Sequence, residues 1–192
     1  VSRLLRPMDP GRLRMLGMDS EVWKRHASGW SVWTRFATLP ILYLAIWSHV
    51  ELGWPLALAC IGVVAVWLWL NPRVFPAPRR FDRWHARAVL GERVWLNRAI
   101  VPVPQDANRK ALGFSLLAGI GFVIGLWGAV WPSIPLIIAG TALTYCGKLA
   151  FLNVMAGLYD LMRDAHPLYR SWTQIPDNDN GRDRQNDAQR AG

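Results

Sequence analysis

Acidic residues are scarce in this sequence: 13 Asp and Glu stand against 22 Lys and Arg in 192 residues, a formal charge of +9. Cysteine is scarcer still. Cys60 and Cys146 both sit in apolar runs, which excludes a disulfide framework and reads as small apolar packing rather than thiol chemistry. No phosphate-cradling glycine loop, dinucleotide fingerprint, nucleophile elbow or zinc-peptidase helix is present. His26, His49, His85 and His166 lack metal-ligand spacing, so neither metal nor haem is implied and no cofactor is expected. Glu92-Arg93 reads as an ion pair or a solvated boundary rather than an acid–base pair. No catalytic residue can be named.

What the chain has is apolar length. Hydrophobic residues make up 52% and charged residues 18%, and the apolar ones gather in four stretches at 32–49, 54–70, 111–130 and 134–152. A bilayer crossing takes about 20 such residues, with tilt and interfacial side chains adjusting the fit. The expected fold is all-α, a polytopic membrane protein of four transmembrane helices in two hairpins joined by a cytoplasmic amphipathic loop. Three regions follow: a basic extension over 1–19, a membrane domain over 20–162 that includes the loop 71–110, and a polar tail over 163–192. The tail has few apolar groups to bury and is expected to be disordered.

The arginines set the orientation. They crowd into residues 1–35, the loop 71–110 and the stretch after the fourth span, while the short turns 48–53 and 131–133 hold no Lys or Arg. Basic residues stay on the cytoplasmic side, so both termini and the central loop are expected there, against anionic headgroups. The same surplus of charge would suit nucleic acid, but no base-reading module accompanies it, and no nucleic-acid partner is expected. The apolar run starts too late and leads too directly into a second span for a cleaved signal peptide. The amino-terminal valine, read as an alternative start codon, points to a bacterial or archaeal cytoplasmic membrane. Trp30, Trp33, Trp67 and Trp69 fall at one end of their spans, and Trp47, Trp54, Trp127 and Trp131 at the other, the pattern of two aromatic belts.

Within the spans, Gly121, Gly125 and Gly128 form a small-residue face expected to pack on Gly140, Thr144 and Gly147. Pro40 is expected to bend its helix, and Asn71-Pro72 to end the second. In the loop, Phe81, Trp84, Ala88 and Trp95 partly share a helical face, as in a basic amphipathic brace at the interface, with Gly91 expected to split it. Residues 19–26 read as a further short amphipathic helix. Lys148 is the sharpest anomaly: a charge inside the fourth span, near enough to its end to snorkel. Arg35, Asn71, Arg73, Glu92, Arg93, Lys148 and Asn153 all approach the same side and form a candidate polar cap or a contact for a ligand or lipid. His26 and His85 could meet each other in the folded cytoplasmic cap, though their separation along the chain implies no zinc site. Replacing Glu92 or Lys148 is expected to matter more than replacing Arg182 in the tail.

The strings HASGWSVWTRFATLPILYLAIWS, WLNPRVFP and VLGERVWLNR, with GKLAFLNVMAGLYDLM near the end, resemble a family of uncharacterised small membrane proteins of bacteria and archaea. The resemblance covers about residues 20–162 and implies a shared membrane domain, with no activity to carry over. It implies that His26, Trp30, Trp33, Arg35, Asn71, Pro72, Gly91, Glu92, Arg93, Trp95, Asn97, Lys148 and Tyr159 are residues shared with the family. Three functions remain open: an interaction or scaffold protein that binds a membrane partner or a second copy of itself, a subunit of an oligomeric transporter or channel, and an enzyme acting on a lipid or lipid-linked substrate.

Overall fold

Long apolar sequence inside a membrane leaves backbone amides no partner but one another, so helices are the available solution. The computed structural model describes residues 25–78, 81–99, 101–165 and 169. Among these it has five long helices and no strand: α1 Gly29–Trp47, α2 His49–Val74, α3 Trp84–Leu96, α4 Gln105–Val130 and α5 Ile134–Met162. All five belong to one compact unit that ends at Met162. A second unit follows, in which Arg163 Nε meets Asp164 Oδ2 at 3.3 Å. Of the expected helix over 19–26 only Arg25 and His26 are described, both helical; residues 19–24 and the tail after 169 lie outside the described residues.

Among the described residues three helices, α2, α4 and α5, are long and apolar enough to cross a membrane, as in a membrane protein. Helix α1 is 19 residues long and is not among them; Ser31, Thr34, Arg35 and Thr38 make its first half polar. At 29 residues, α5 extends about 43 Å, well beyond a hydrocarbon core of about 30 Å.

Helices α4 and α5 share the most extensive contact. Their sequences allow it by leaving side chains out. A Cβ added at Gly121 would lie 2.5 Å from the Thr144 nitrogen, and one at Gly147 would lie 2.6 Å from the Ala118 nitrogen. At Gly140 a Cβ would overlap the Gly125 backbone. Tyr43 of α1 fills the space beside Gly125, and its hydroxyl donates to the Phe122 carbonyl at 3.3 Å. Around it Ile46 and Ala129 are buried, with Leu42, Phe122 and Ile137 packed on them.

Proline leaves a second mark. Pro40 lies within α1 and has no N–H to offer the carbonyl four residues back, that of Phe36. Tyr145 of α5 supplies the missing donor, its hydroxyl reaching Phe36 O at 2.6 Å. The break in one helix thus becomes a bond to another.

Two expected breaks differ from what forms. Asn71-Pro72 does not end α2, which runs on to Val74. So near the end of a helix, a proline disturbs little of the hydrogen-bond ladder. Gly91 does not split the loop helix either: α3 is continuous, and Gly91 is buried where a Cβ would overlap the Met155 carbonyl oxygen. The amphipathic segment is therefore docked on α5, with Ala86, Ala88, Val89, Leu90 and Val94 buried, rather than lying only along a surface. Gly53, with φ 74, makes the turn between α1 and the main length of α2. That helix packs chiefly on α1 and leaves most of its apolar side chains exposed.

Candidate ligand cavity

Helical periodicity puts side chains three, four and seven residues apart on one face, and three such faces converge here. Val32, Arg35, Phe36 and Leu39 come from α1, His85, Val89, Glu92 and Leu96 from α3, and Thr144, Tyr145, Lys148 and Leu152 from α5. With His26, they line a partly open cavity of about 400 Å³ whose surface is mostly apolar. Each helix contributes one full charge near the middle of its stripe: Arg35, Glu92 and Lys148. The volume falls within the range of small-ligand sites.

Gly91 positions the charges. Because it lets α3 approach the α5 backbone, the next residue, Glu92, reaches Lys148, with Nζ 3.3 Å from Oε1. Lys148 also sits 4.7 Å from the centre of the Phe151 ring. The Lys148 and Glu92 side chains are 41% and 23% exposed, so solvent screens the pair and its value is mainly positional. A second cross-link, Arg87 to Asp160 at 2.7 Å, holds the same two helices further along.

Arg35 is fixed by two bonds. Its Nε donates to the Ser31 carbonyl at 3.0 Å and its Nη1 meets His26 Nε2 at 2.7 Å. A guanidinium has donors only, so His26 Nε2 accepts and the imidazole carries its proton on Nδ1. Electrostatics agree: burial, then the charges of Arg35 and Lys148, lower the His26 pKa to about 3. His85 lies across the Gly29 backbone, its Nε2 3.1 Å from where a Gly29 Cβ would be, and burial followed by the Arg83 charge lowers its pKa. Both rings line the cavity as neutral groups at pH 7.

The other candidates divide. Asn71 is fully buried but belongs to the α1–α2 junction, where Ser31 Oγ donates to its Oδ1 at 2.8 Å and its Nδ2 donates to Thr34 Oγ1 at 2.6 Å. Arg73 stacks on Trp69 at 4.2 Å, and its carbonyl accepts from Arg25 at 3.1 Å. Asn153 accepts from Trp84 Nε1 at 3.4 Å on the outside of the α3–α5 contact. Arg93 is outside the cavity lining, and burial lowers its pKa to about 10. Only Arg35, Glu92 and Lys148 come together in the cavity. The Tyr145 bond to Phe36 and the Arg87–Asp160 bridge escape sequence reading. Pro40 was the available signal for the first, since its freed carbonyl needs a donor.

Among the described residues, no three His, Cys, Asp or Glu side chains gather to hold a metal. Comparison with curated proteins and with solved structures finds no match. A family model does match, over residues 9–176, a stretch that contains every wall of the cavity. The chain belongs to that family, DUF6653, a family of unknown function.

Proposed function

We propose that this chain is a four-span membrane protein whose cavity binds the anionic head of an amphiphile at the cytoplasmic edge of the bilayer. The observation that carries the reading is the convergence of Arg35 and Lys148, from different helices, in a cavity that is otherwise mostly apolar. Such a lining suits a ligand with one charged end and a greasy remainder. Arg35 has a further argument: its bonds to Ser31 and His26 use Nε and Nη1, and Nη2 is placed to meet a ligand oxygen.

The four-span arrangement counts α1 as a crossing helix beside the three more apolar ones. It is supported by the turns at Ser48 and 131–133, which lack Lys and Arg, and by the basic residues at the opposite helix ends. In this arrangement a bacterial or archaeal cytoplasmic membrane holds both termini on its inner side. Cysteine labels at Ser2 and Ser171 should react only from the cytoplasm, and labels at Ser48 and Ser133 only from outside. Labels reacting from opposite sides at Ser2 and Ser171 reject the topology.

The ligand reading is tested by purifying the full chain from membranes and measuring the lipids retained. Anionic lipids should be enriched over neutral ones, and Arg35→Gln or Lys148→Met should lower their retention about tenfold. The soluble head, offered without acyl chains, should bind far more weakly. Unselective retention, or equal binding of the soluble head, overturns the amphiphile reading. The interaction or scaffold reading draws on the outward apolar face of α2, which surrounding lipid satisfies equally well. The transport reading would need a continuous polar path and flux after reconstitution, and the enzyme reading a substrate turned over in the cavity.

A further inference from the structure

We infer that the cavity selects a head bearing a single negative charge, a phosphodiester or a carboxylate, and discriminates against doubly charged phosphomonoesters, with Glu92 as the selecting residue. The inference rests on the amphiphile reading above and adds the charge of the ligand to it.

The argument is a charge count over the lining. Arg35 and Lys148 bring two positive charges, and Glu92 brings one negative charge. His26 adds none, because its Nε2 must stay unprotonated to accept from Arg35. His85 is held neutral at pH 7 chiefly by burial beside the Gly29 backbone. The lining therefore carries one net positive charge. A monoanion neutralises it. A dianion leaves an uncompensated negative charge against a mostly apolar wall and beside a carboxylate, where such a charge is poorly tolerated.

Glu92 is placed to impose this. It holds Lys148 at 3.3 Å, and it is close enough to Arg35 for its charge to act on the guanidinium. Any oxyanion set between the two cations therefore has the Glu92 carboxylate as a neighbour. Two other cations do not change the count. Arg83 is exposed and outside the lining, where salt screens it. Arg93 follows Glu92 on α3 but is likewise outside the lining.

The test uses the full chain in nanodiscs of zwitterionic lipid doped with a diacyl phosphodiester lipid, a fatty carboxylate or a diacyl phosphomonoester. At pH 8 the diester and the carboxylate should each bind at least tenfold more tightly than the monoester. Glu92→Gln should bring diester and monoester to within about threefold of each other. A second arm needs no variant. The second ionisation of a phosphomonoester lies at about 6, so at pH 5 that ligand becomes a monoanion. Its affinity in the wild type should then approach that of the diester. The diester keeps its charge over this interval and so reports any change in Glu92, His26 or His85. Monoester binding as tight as diester binding at pH 8 overturns charge selection, as does a preference that persists at pH 5. If Glu92→Gln does not fold, the wild-type comparison between the two pH values decides alone. If no anionic lipid binds above the zwitterionic background, the amphiphile reading fails first. If all bind equally, only the charge selection fails.

Discussion

Along the first half of α5, Gly140 and Gly147 bring its backbone against α4, and no charged side chain takes part. Along the second half, α3 is held by Gly91 together with long polar side chains: Glu92 to Lys148, Arg87 to Asp160 and Trp84 to Asn153. Both halves belong to one helix, yet they solve different problems. Contact made by removing side chains closes the gap and leaves no room for a ligand. Beside the close approach at Gly91, side chains of α1, α3 and α5 converge without filling the space between them, and the cavity lies there. Where α5 changes neighbour, its character changes from seam to site.

The comparison breaks most severely at the seam. Gly140→Leu forces the α4 and α5 backbones apart and should destabilise the protein by about 3 kcal/mol. Gly113→Leu, at a position where a Cβ meets nothing within 4 Å, should be tolerated. Thermal unfolding in detergent compares the two, and equal losses would refute the seam.

Next comes Gly91→Ala, which pushes α3 off the Met155 carbonyl and should cost about 2 kcal/mol. Its more specific signature is geometric. Cysteines substituted at Arg87 and Asp160 should cross-link readily in the Gly91 background and several-fold less in the alanine variant. Unchanged cross-linking would mean that the glycine does not set the α3–α5 spacing.

Burial then separates the two asparagines. Asn71→Ala leaves buried Ser31 and half-buried Thr34 without a bridge and should cost about 1–3 kcal/mol. Asn153→Ala loses one long bond at an exposed position and should change stability by less than about 0.5 kcal/mol. Similar values from chemical denaturation would remove the distinction between a buried joint and a surface contact.

A further effect is the pH dependence of the cavity wall. Folding lowers the His26 pKa from 6.5 to about 3, so between those values the unfolded chain binds the proton more readily. The stabilisation is fully present above pH 6.5 and is lost as pH falls toward 3, at up to about 1.4 kcal/mol per pH unit. Unfolding midpoints at pH 7.5 and pH 5 should differ less in His26→Gln than in the wild type. An unaltered difference would place the acid sensitivity elsewhere.

Much of this architecture was legible because it repeats along the chain. Apolar runs of bilayer length gave the long helices, and the spacing of Gly121, Gly125, Gly140 and Gly147 marked surfaces able to approach closely. The loop between them was harder. Gly91 carries a flexible residue's signature in the sequence, and only its position against Met155 turns it from a break into a contact point. Position near the same helix ends groups Asn71 and Arg73 with Lys148 in the sequence. Sequence places residues along an axis but not around a bundle, and those two face α1 or Trp69 instead.

The sequence by itself determined an all-helical chain with apolar helices of membrane-crossing length, because apolar length and backbone self-sufficiency favour helices in lipid; it suggested four such helices, of which α2, α4 and α5 are long and apolar enough to cross. It also determined that Lys148 and Glu92 are charges needing an explanation. The tertiary structure alone decided that Arg35, Glu92 and Lys148, 57 and 56 residues apart along the chain, share one cavity while Asn153 does not. Rotation of each helix about its axis made that choice. It is set by where glycines permit approach and where a tyrosine reaches the carbonyl that Pro40 leaves open, and neither can be read until the helices are packed.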